Sequence, residues 1–299
     1  MKKLLHNINF YRLVSLIIII SITLCSCSEY NFESYGDYYS RNNNLSAHFL
    51  DVGQGDSIFI ELPNAQTMLI DASTKGMGKS IVNYVNSLGY DKIDYLVATH
   101  PHADHIGSMA YIVKNMDIGD IYMPKASAST NTYKILLETI YDKGLKVKSA
   151  KSGISIIDTE DFDVDILGPV SIDENNLNNC SIVLKITFEN KKFLFTGDAE
   201  NDELSSIKTD ISADVLKVGH HGSRTSTTKD FVERVNPDIA VISSGKNNEY
   251  GHPHKSTLKY LNNIGAEIYR TDKDKTVTVT SDGENITVET GGISMIKDD

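Results

Sequence analysis

The apolar run "IDYLVATH" (residues 93–100) leads directly into "PHADH", so three histidines and an aspartate fall within six positions of a chain that has nine histidines in all. Its β-branched and aromatic content reads as a buried strand, and Pro101 restricts His100 to extended backbone. In extended backbone residues i and i+2 project to the same side, so His100 and His102 point together. Asp104 and His105 follow where the chain turns into a helix, and Asp104 is also placed to cap that helix. Four ligand-type side chains therefore converge at a strand end. Neutral imidazoles with a carboxylate suit Zn²⁺, Mn²⁺ or Fe²⁺.

The rest of the chain supplies the scaffold for such a strand end. With 299 residues, 40% hydrophobic and 23% charged, it can bury a full core. "LSAHFLDV", "SIFIEL" and "TMLIDAS" are short apolar runs separated by Gly, Asn and Pro, which predicts an opening strand meander. Helical spacing covers residues 80–88 and "IGSMAYIVKNM", and returns near 130–143, 200–207, 228–235 and 255–263. Strand patterns lie near 163–167, 181–188, 192–196, 213–218, 238–243, 266–270, 276–280 and 286–289. Strands interleaved with helices, without a Pro/Gly-rich break after residue 45, predict one α/β domain over 45–290 and a short tail over 291–299.

The N-terminus reads as an export signal. Lys2, Lys3 and Arg12 precede an uncharged apolar run over residues 13–24, too short for a comfortable span and right for a signal core. The run ends in "LCSC", which resembles a lipoprotein processing site with Cys27 as the lipidated residue; an uncleaved anchor or a plain secretory signal are the alternatives. Each version places the body outside the cytoplasm, with residues 1–27 as signal and 28–44, "SEYNFESYGDYYSRNNN", as a tether. Cleavage before Cys27 leaves only that thiol and Cys180, so no internal disulfide is expected. The net charge of −11 excludes a surface coated in basic residues for general nucleic-acid binding, but a local positive site or a metal pair can still attract an anion.

The spacing HxHxDH at the end of a strand resembles the signature of the metallo-β-lactamase fold. That resemblance implies a four-layer αββα sandwich with the metal site at one edge of its sheets. "FLDVGQGDSIFIEL", "MLIDAS", "THPHADHIGS", "NNCSIVLKITFENKKFLFTGDAE", "DVLKVGHHGS" and "SSGKNNEYGHPH" occur in the order seen in the metallo-β-lactamase-like domain of ComEC competence proteins and their free-standing relatives. Those domains are regarded as metal-dependent phosphodiesterases or nucleases. The resemblance implies that His100 and His102 bind a first divalent metal, Zn or Mn, that Asp104 and His105 bind a second, and that Asp198 in "LFTGD" bridges them. Two cations about 3.5–4 Å apart would activate a hydroxide and clamp the oxygens of an in-line displacement at phosphorus.

The second metal needs a further histidine. His220, His221 and His252 are candidates; resemblance to phosphocholine esterases favours His221, and His252 could instead contact the scissile phosphate or protonate the leaving oxygen. His254 is expected at the surface or behind the ligands. Many hydrolases of this fold carry another histidine before the "TGD" strand, where this chain has Asn178 and Asn179; an amide oxygen is a weaker zinc ligand, better tolerated by Mn²⁺. Asp71 is placed to orient ligand histidines, and Asp51, Gln54 and Asp56 in "DVGQGDS" to line the site. Ser223, Arg224, Lys246, Asn247 and Asn248 form a candidate rim for an anionic substrate. Three functions stay open: a membrane-tethered phosphodiesterase acting on nucleic acid, a hydrolase of another ester such as a phosphocholine group, lactam or thioester, and a binding lipoprotein with a vestigial site. No obligate protein partner is evident in the sequence.

Overall fold

The computed structural model describes residues 43–292 and Lys297. The expected signal, the lipidation site Cys27 and the tether up to residue 42 lie outside the described residues, as do residues 293–296, 298 and 299 of the expected tail.

Two sheets form the centre. The first runs from edge to edge through β15 (Ile286–Gly291), β14 (Thr276–Ser281), β1 (Leu45–Phe49), β2 (Ile58–Glu61), β3 (Thr67–Ile70), β4 (Lys92–Val97), β5 (Asp117–Pro124) and β6 (Val147–Ala150). The second runs through β13 (Glu267–Arg270), β12 (Ile239–Ile242), β11 (Val215–Lys217), β10 (Lys191–Phe195), β9 (Val183–Phe188), β8 (Phe162–Gly168) and β7 (Ile154–Asp158). Each sheet has an antiparallel half and a parallel half: β3 to β6 are parallel in the first, β10 to β13 in the second.

Strand alternation sorts the side chains into layers. Leu45, Ala47 and Phe49 of β1 face inward with Leu184, Ile186, Phe193 and Phe195 of the second sheet, and the Phe49 and Phe195 rings stack at 6.1 Å. The opposite face of the first sheet packs Phe59, Leu69 and Leu96 against Ile81 and Val85 of α1 (Gly78–Ser87), Met109 and Ile112 of α3 (Met109–Asn115), and Leu136 and Ile140 of α4 (Asn131–Asp142). The outer face of the second sheet packs Leu194, Leu216 and Ala240 against Leu204 of α5 (Asn201–Ser206), Phe231 and Val232 of α6 (Lys229–Val235), and Leu261 of α7 (Lys255–Asn263). Three apolar interfaces separate four layers, and the architecture is the expected αββα sandwich.

Local sequence explains the helix ends. Thr130 and Thr228 cap α4 and α6 by accepting the amides of Tyr133 and Phe231, and Asn236 closes α6 in the left-handed region. The helix expected over "IGSMAYIVKNM" (106–116) starts only at Met109, as α3, and a separate short α2 (Ala103–Ile106) precedes it where the chain was expected to turn into a helix. Ser108 sits in the break, donating to Thr74 O at 2.6 Å and accepting from Met77 N at 3.0 Å. The structure also adds three strands that the pattern does not reveal: β5, β6 and β7. Among the described residues no helix is long and apolar enough to cross a membrane.

Candidate metal centre

Parallel strands deliver their carboxyl ends to one place. Asp71 follows β3, Thr99 and His100 follow β4, Asp198 follows β10, His220 and His221 follow β11, and Ser243 follows β12. Ligands in α/β proteins collect outside such ends. Ile182 N donates to Thr99 O at 2.9 Å, joining the two sheets at this edge.

The loop from Asp51 to Asp56 packs beneath α2. Asp56 N donates to Asp104 O at 3.2 Å, and a Cβ at Gly55 would lie 2.5 Å from that carbonyl. Glycine is required here for the approach, and its φ of +147° adds a second reason. The backbone beside the site departs from ordinary geometry elsewhere too. Asp71 has φ 60°, His220 φ 49° and His221 φ 53°. A left-handed non-glycine residue costs about 1–2 kcal/mol. Two in succession at His220–His221 mark a turn set by what the side chains must reach.

The side chains converge. Ligand atoms of Asp104, His105, Asp198 and His221 all lie within 4.8 Å of one another. His105 Nε2 is 3.2 Å from Asp198 Oδ2 and 3.9 Å from Asp104 Oδ2. His221 Nε2 is 3.3 Å from Asp104 Oδ2 and 3.8 Å from Asp198 Oδ2. Beside them His100 Nε2 and His102 Nδ1 meet at 2.9 Å. That separation is a hydrogen-bond distance, and neither ring belongs to the four-residue cluster.

The outer nitrogens are tied down. His105 Nδ1 is 2.6 Å from Asp71 Oδ2, and Asp71 also accepts Thr99 N at 2.8 Å and Thr99 Oγ1 at 2.7 Å. His221 Nδ1 is 3.1 Å from Ser243 O and 3.3 Å from Asp56 Oδ1. Such contacts fix ring orientation and leave Nε2 for a metal. His100 Nδ1 meets Thr99 Oγ1 at 3.1 Å and Ser181 Oγ at 3.3 Å.

The carboxylates and imidazoles of the cluster perturb one another strongly. Burial works to raise Asp198, but the imidazoles of His105 and His221 outweigh it and hold the carboxyl well below the usual range. Burial likewise opposes charge on His221, yet Asp198 and Asp56 push it up to about 10; His105 is driven well above its usual value by Asp198 and Asp71. Burial keeps His100 well below its usual value. His105 Nε2 and Asp198 Oδ1 are buried without a hydrogen-bond partner. Unpaired buried donors and acceptors are costly, and a divalent cation would satisfy both. The residues present fit a metal.

Asp104 does not cap α2: its carboxylate turns to His221, and no side chain caps that helix. His220 Nε2 stands 3.7 Å from Asp198 Oδ2, with Nδ1 3.4 Å from Glu200 Oε1. The His252 ring is 5.5 Å from that of His220 and 6.3 Å from that of His221, and burial with those two neighbours pulls it down to about 4. His254 Nδ1 accepts from Arg224 N at 3.0 Å. The Asn179 amide is engaged by Glu200 N at 3.1 Å and Asp173 Oδ2 at 3.4 Å, whereas Asn178 Oδ1 is buried and unpartnered. On the rim, Arg224, Lys246 and Asn247 are exposed. Ser223 is buried against Thr225 Oγ1 at 3.0 Å, and Asn248 commits its amide to the loop, donating to Gly245 O and His252 O and accepting from His252 N. Gln54 Oε1 accepts Gly245 N at 3.0 Å, and Asp51 N donates to Thr276 Oγ1 at 3.2 Å.

Sequence reasoning missed Ser181, Glu200 and Lys217. Ser181 Oγ accepts Asp198 N at 3.1 Å, and Glu200 accepts from Thr225 Oγ1 and Asn176 Nδ2, both at 2.8 Å. Lys217 carries the clearest signal of the three, a lysine on the inward parity of the buried strand "DVLKV".

Fold and site together define a metallo-β-lactamase-type hydrolase scaffold, and the sequence profile of the metallo-β-lactamase superfamily matches residues 50–246. The chain belongs to that superfamily. Within it, the chain is 31% identical over 248 residues to ComE operon protein 3 of Bacillus subtilis (strain 168), covering 76% of this chain and 32% of that protein. It is 29% identical to Recombination protein 2 of Haemophilus influenzae (74% and 27% covered) and 26% identical to Competence protein ComA of Neisseria gonorrhoeae (81% and 33% covered). The chain thus spans about a third of the length of these relatives, which are competence proteins of the ComEC type. Among solved structures it is similar to the diiron β-hydroxylase CmlA of Streptomyces venezuelae (TM-score 0.51, 14% identity, 76% of this chain and 52% of that chain). It is also similar to a metal-dependent hydrolase of the β-lactamase superfamily (TM-score 0.50, 12% identity, 76% and 95% covered). At these identities the likeness is one of fold.

Proposed function

We propose that the protein is a two-metal phosphodiesterase acting on DNA, exported and held at the membrane by a lipid on Cys27. The observation that carries the hydrolytic part is the convergence of Asp104, His105, Asp198 and His221 around unpartnered, buried His105 Nε2 and Asp198 Oδ1. The competence relatives support the choice of DNA. The lysines before the apolar run over 13–24, and the "LCSC" that ends it, support export and anchoring.

In this reading His100 and His102 would hold one divalent ion and Asp104, His105 and His221 the other, with Asp198 within reach of both. Asn178 takes the place of the further histidine, a donor better suited to Mn²⁺ than to Zn²⁺. A divalent pair supplies Lewis acidity toward phosphoryl oxygens and lowers the pKa of water. The chain's own groups do the rest. Asp71 and Asp56 keep the His105 and His221 rings turned to the site. Neutral His252 offers an N–H to a phosphoryl or leaving oxygen, and Asn248 braces the loop that carries it. Arg224 and Lys246 attract the polyanion from the rim.

The test uses the full-length chain in detergent, stripped of metal and reloaded with Mn²⁺ or Zn²⁺ in turn, with labelled single-stranded and duplex DNA. Metal-dependent cleavage, lost in His102→Ala, is the expected result. Metal-bound protein that cleaves neither DNA would refute the nuclease assignment and turn the search to another ester.

A further inference from the structure

Lys217 ends β11 on the same parity as Val215, so its side chain enters the space between the sheets, where it is 1% exposed. Its Nζ donates to Asp56 Oδ2 at 2.7 Å and to Val218 O at 3.1 Å. Asp56 lies in the loop before β2, on the other side of the sandwich, and is equally buried. Its second oxygen stands 3.3 Å from His221 Nδ1. A chain of contacts therefore runs from the second sheet through Lys217 and Asp56 to a candidate ligand of the second metal.

Stability does not explain this pair. Removing two ions from water costs several kcal/mol each, and apolar replacements of a buried pair are often neutral or stabilising. What the pair does supply is direction. His221 sits in a left-handed turn, and its Nδ1 lies between Ser243 O at 3.1 Å and the Asp56 carboxylate at 3.3 Å. At His105 the orienting carboxylate, Asp71, is fixed by neutral donors from Thr99, whereas Asp56 is fixed by a full cation. Lys217 also ties Val218 O, the backbone that leads into the His220–His221 turn.

We propose that Lys217 and Asp56 are positioning residues that cross the sandwich to aim His221 at the second metal. This inference rests on the metal reading above. Carboxylate partners behind ligating histidines are worth about 10–100-fold in metal affinity.

The experiment is a Mn²⁺ titration of the full-length chain by calorimetry and electron paramagnetic resonance, compared with two variants whose folding is checked by circular dichroism. Lys217→Met/Asp56→Leu replaces the pair by apolar side chains, and Asp56→Asn keeps the shape while removing the carboxylate. Both are expected to lose about 10–100-fold affinity for one of two ions and to replace a coupled two-ion spectrum by that of a single Mn²⁺. Lys185→Met, which breaks a pair with Asp210 elsewhere on the sheet, should change neither readout. Two ions bound with unchanged affinity in either folded variant would overturn the inference while leaving the metal reading intact. A wild-type chain that binds no ion would overturn the metal reading, and this inference with it.

Discussion

Replacing Asp198 by alanine removes the carboxylate that sits among His105, His220 and His221 at 3.2, 3.7 and 3.8 Å and has a buried oxygen with no partner. If that oxygen belongs to a metal, the loss is read best as a change in metal-linked stability, with each protein compared to its own metal-free form. An ion at a hundred times its Kd stabilises a native state by about 2.7 kcal/mol. For a domain of this size about 2–4 °C of Tm accompany each kcal/mol, so saturating Mn²⁺ should raise the wild-type midpoint by roughly 5–10 °C. A hundredfold weaker site at the same concentration leaves only about 0.4 kcal/mol, or roughly 1 °C. Thermal denaturation of both proteins, with chelator and with Mn²⁺, measures the difference directly. Hydrolysis should vanish in the same variant. An alanine variant that keeps the full rise would remove Asp198 from the ligand set and refute the reasoning.

Other outcomes follow from particular contacts. Glu203 is buried, its Oε1 accepts Val170 N at 2.7 Å, and burial raises its carboxyl above the usual value. The unfolded chain therefore loses this proton first, and the group subtracts stability as pH rises from the unfolded pKa through the folded one. Glu203→Gln keeps the acceptor and removes the charge, so it should raise the Tm more at pH 8 than at pH 4; an equal effect at both would refute the assignment. Tyr250 is 67% exposed and stacks on His252 with ring centroids 5.6 Å apart, leaving a free face beside the site. Tyr250→Ala should weaken single-stranded DNA binding by about 1–3 kcal/mol without changing metal content, as followed by fluorescence anisotropy; unchanged affinity would take the ring out of the substrate path. Cys27→Ala should shift the protein from the membrane to the soluble fraction or leave it unprocessed, and wild-type processing and membrane retention in the variant would refute lipidation at that residue.

Much of the architecture was legible because it is written in local periods. The strand "IDYLVATH" and the ligands beyond it follow from alternation and one proline, and the inward and outward faces of β1, β9 and β10 follow from the same rule. Strand β5 was not legible, since "DIGDIYMP" interrupts any alternation with two aspartates, Gly119 and Pro124. It exists because β4 and β6 pair on either side and its apolar residues Ile118, Ile121 and Met123 pack under the helices. The edge strand β6, "VKSA", exposes its first three residues and has almost no signature. Within the site, the choice between His220 and His221 rests on two successive left-handed residues, a backbone inversion that no side-chain pattern announces. Lys217 and Asp56 are 161 positions apart, and their pairing is a product of how the sheets stack.

The central claim is a two-ion centre at the converging strand ends. Anomalous diffraction from crystals soaked in Mn²⁺ tests it directly. The account predicts two peaks about 3.5–4 Å apart, both touching Asp198, one beside His100 and His102 and the other beside Asp104, His105 and His221. A saturating soak that leaves these side chains without an ion, or places the ions away from Asp198, would contradict it.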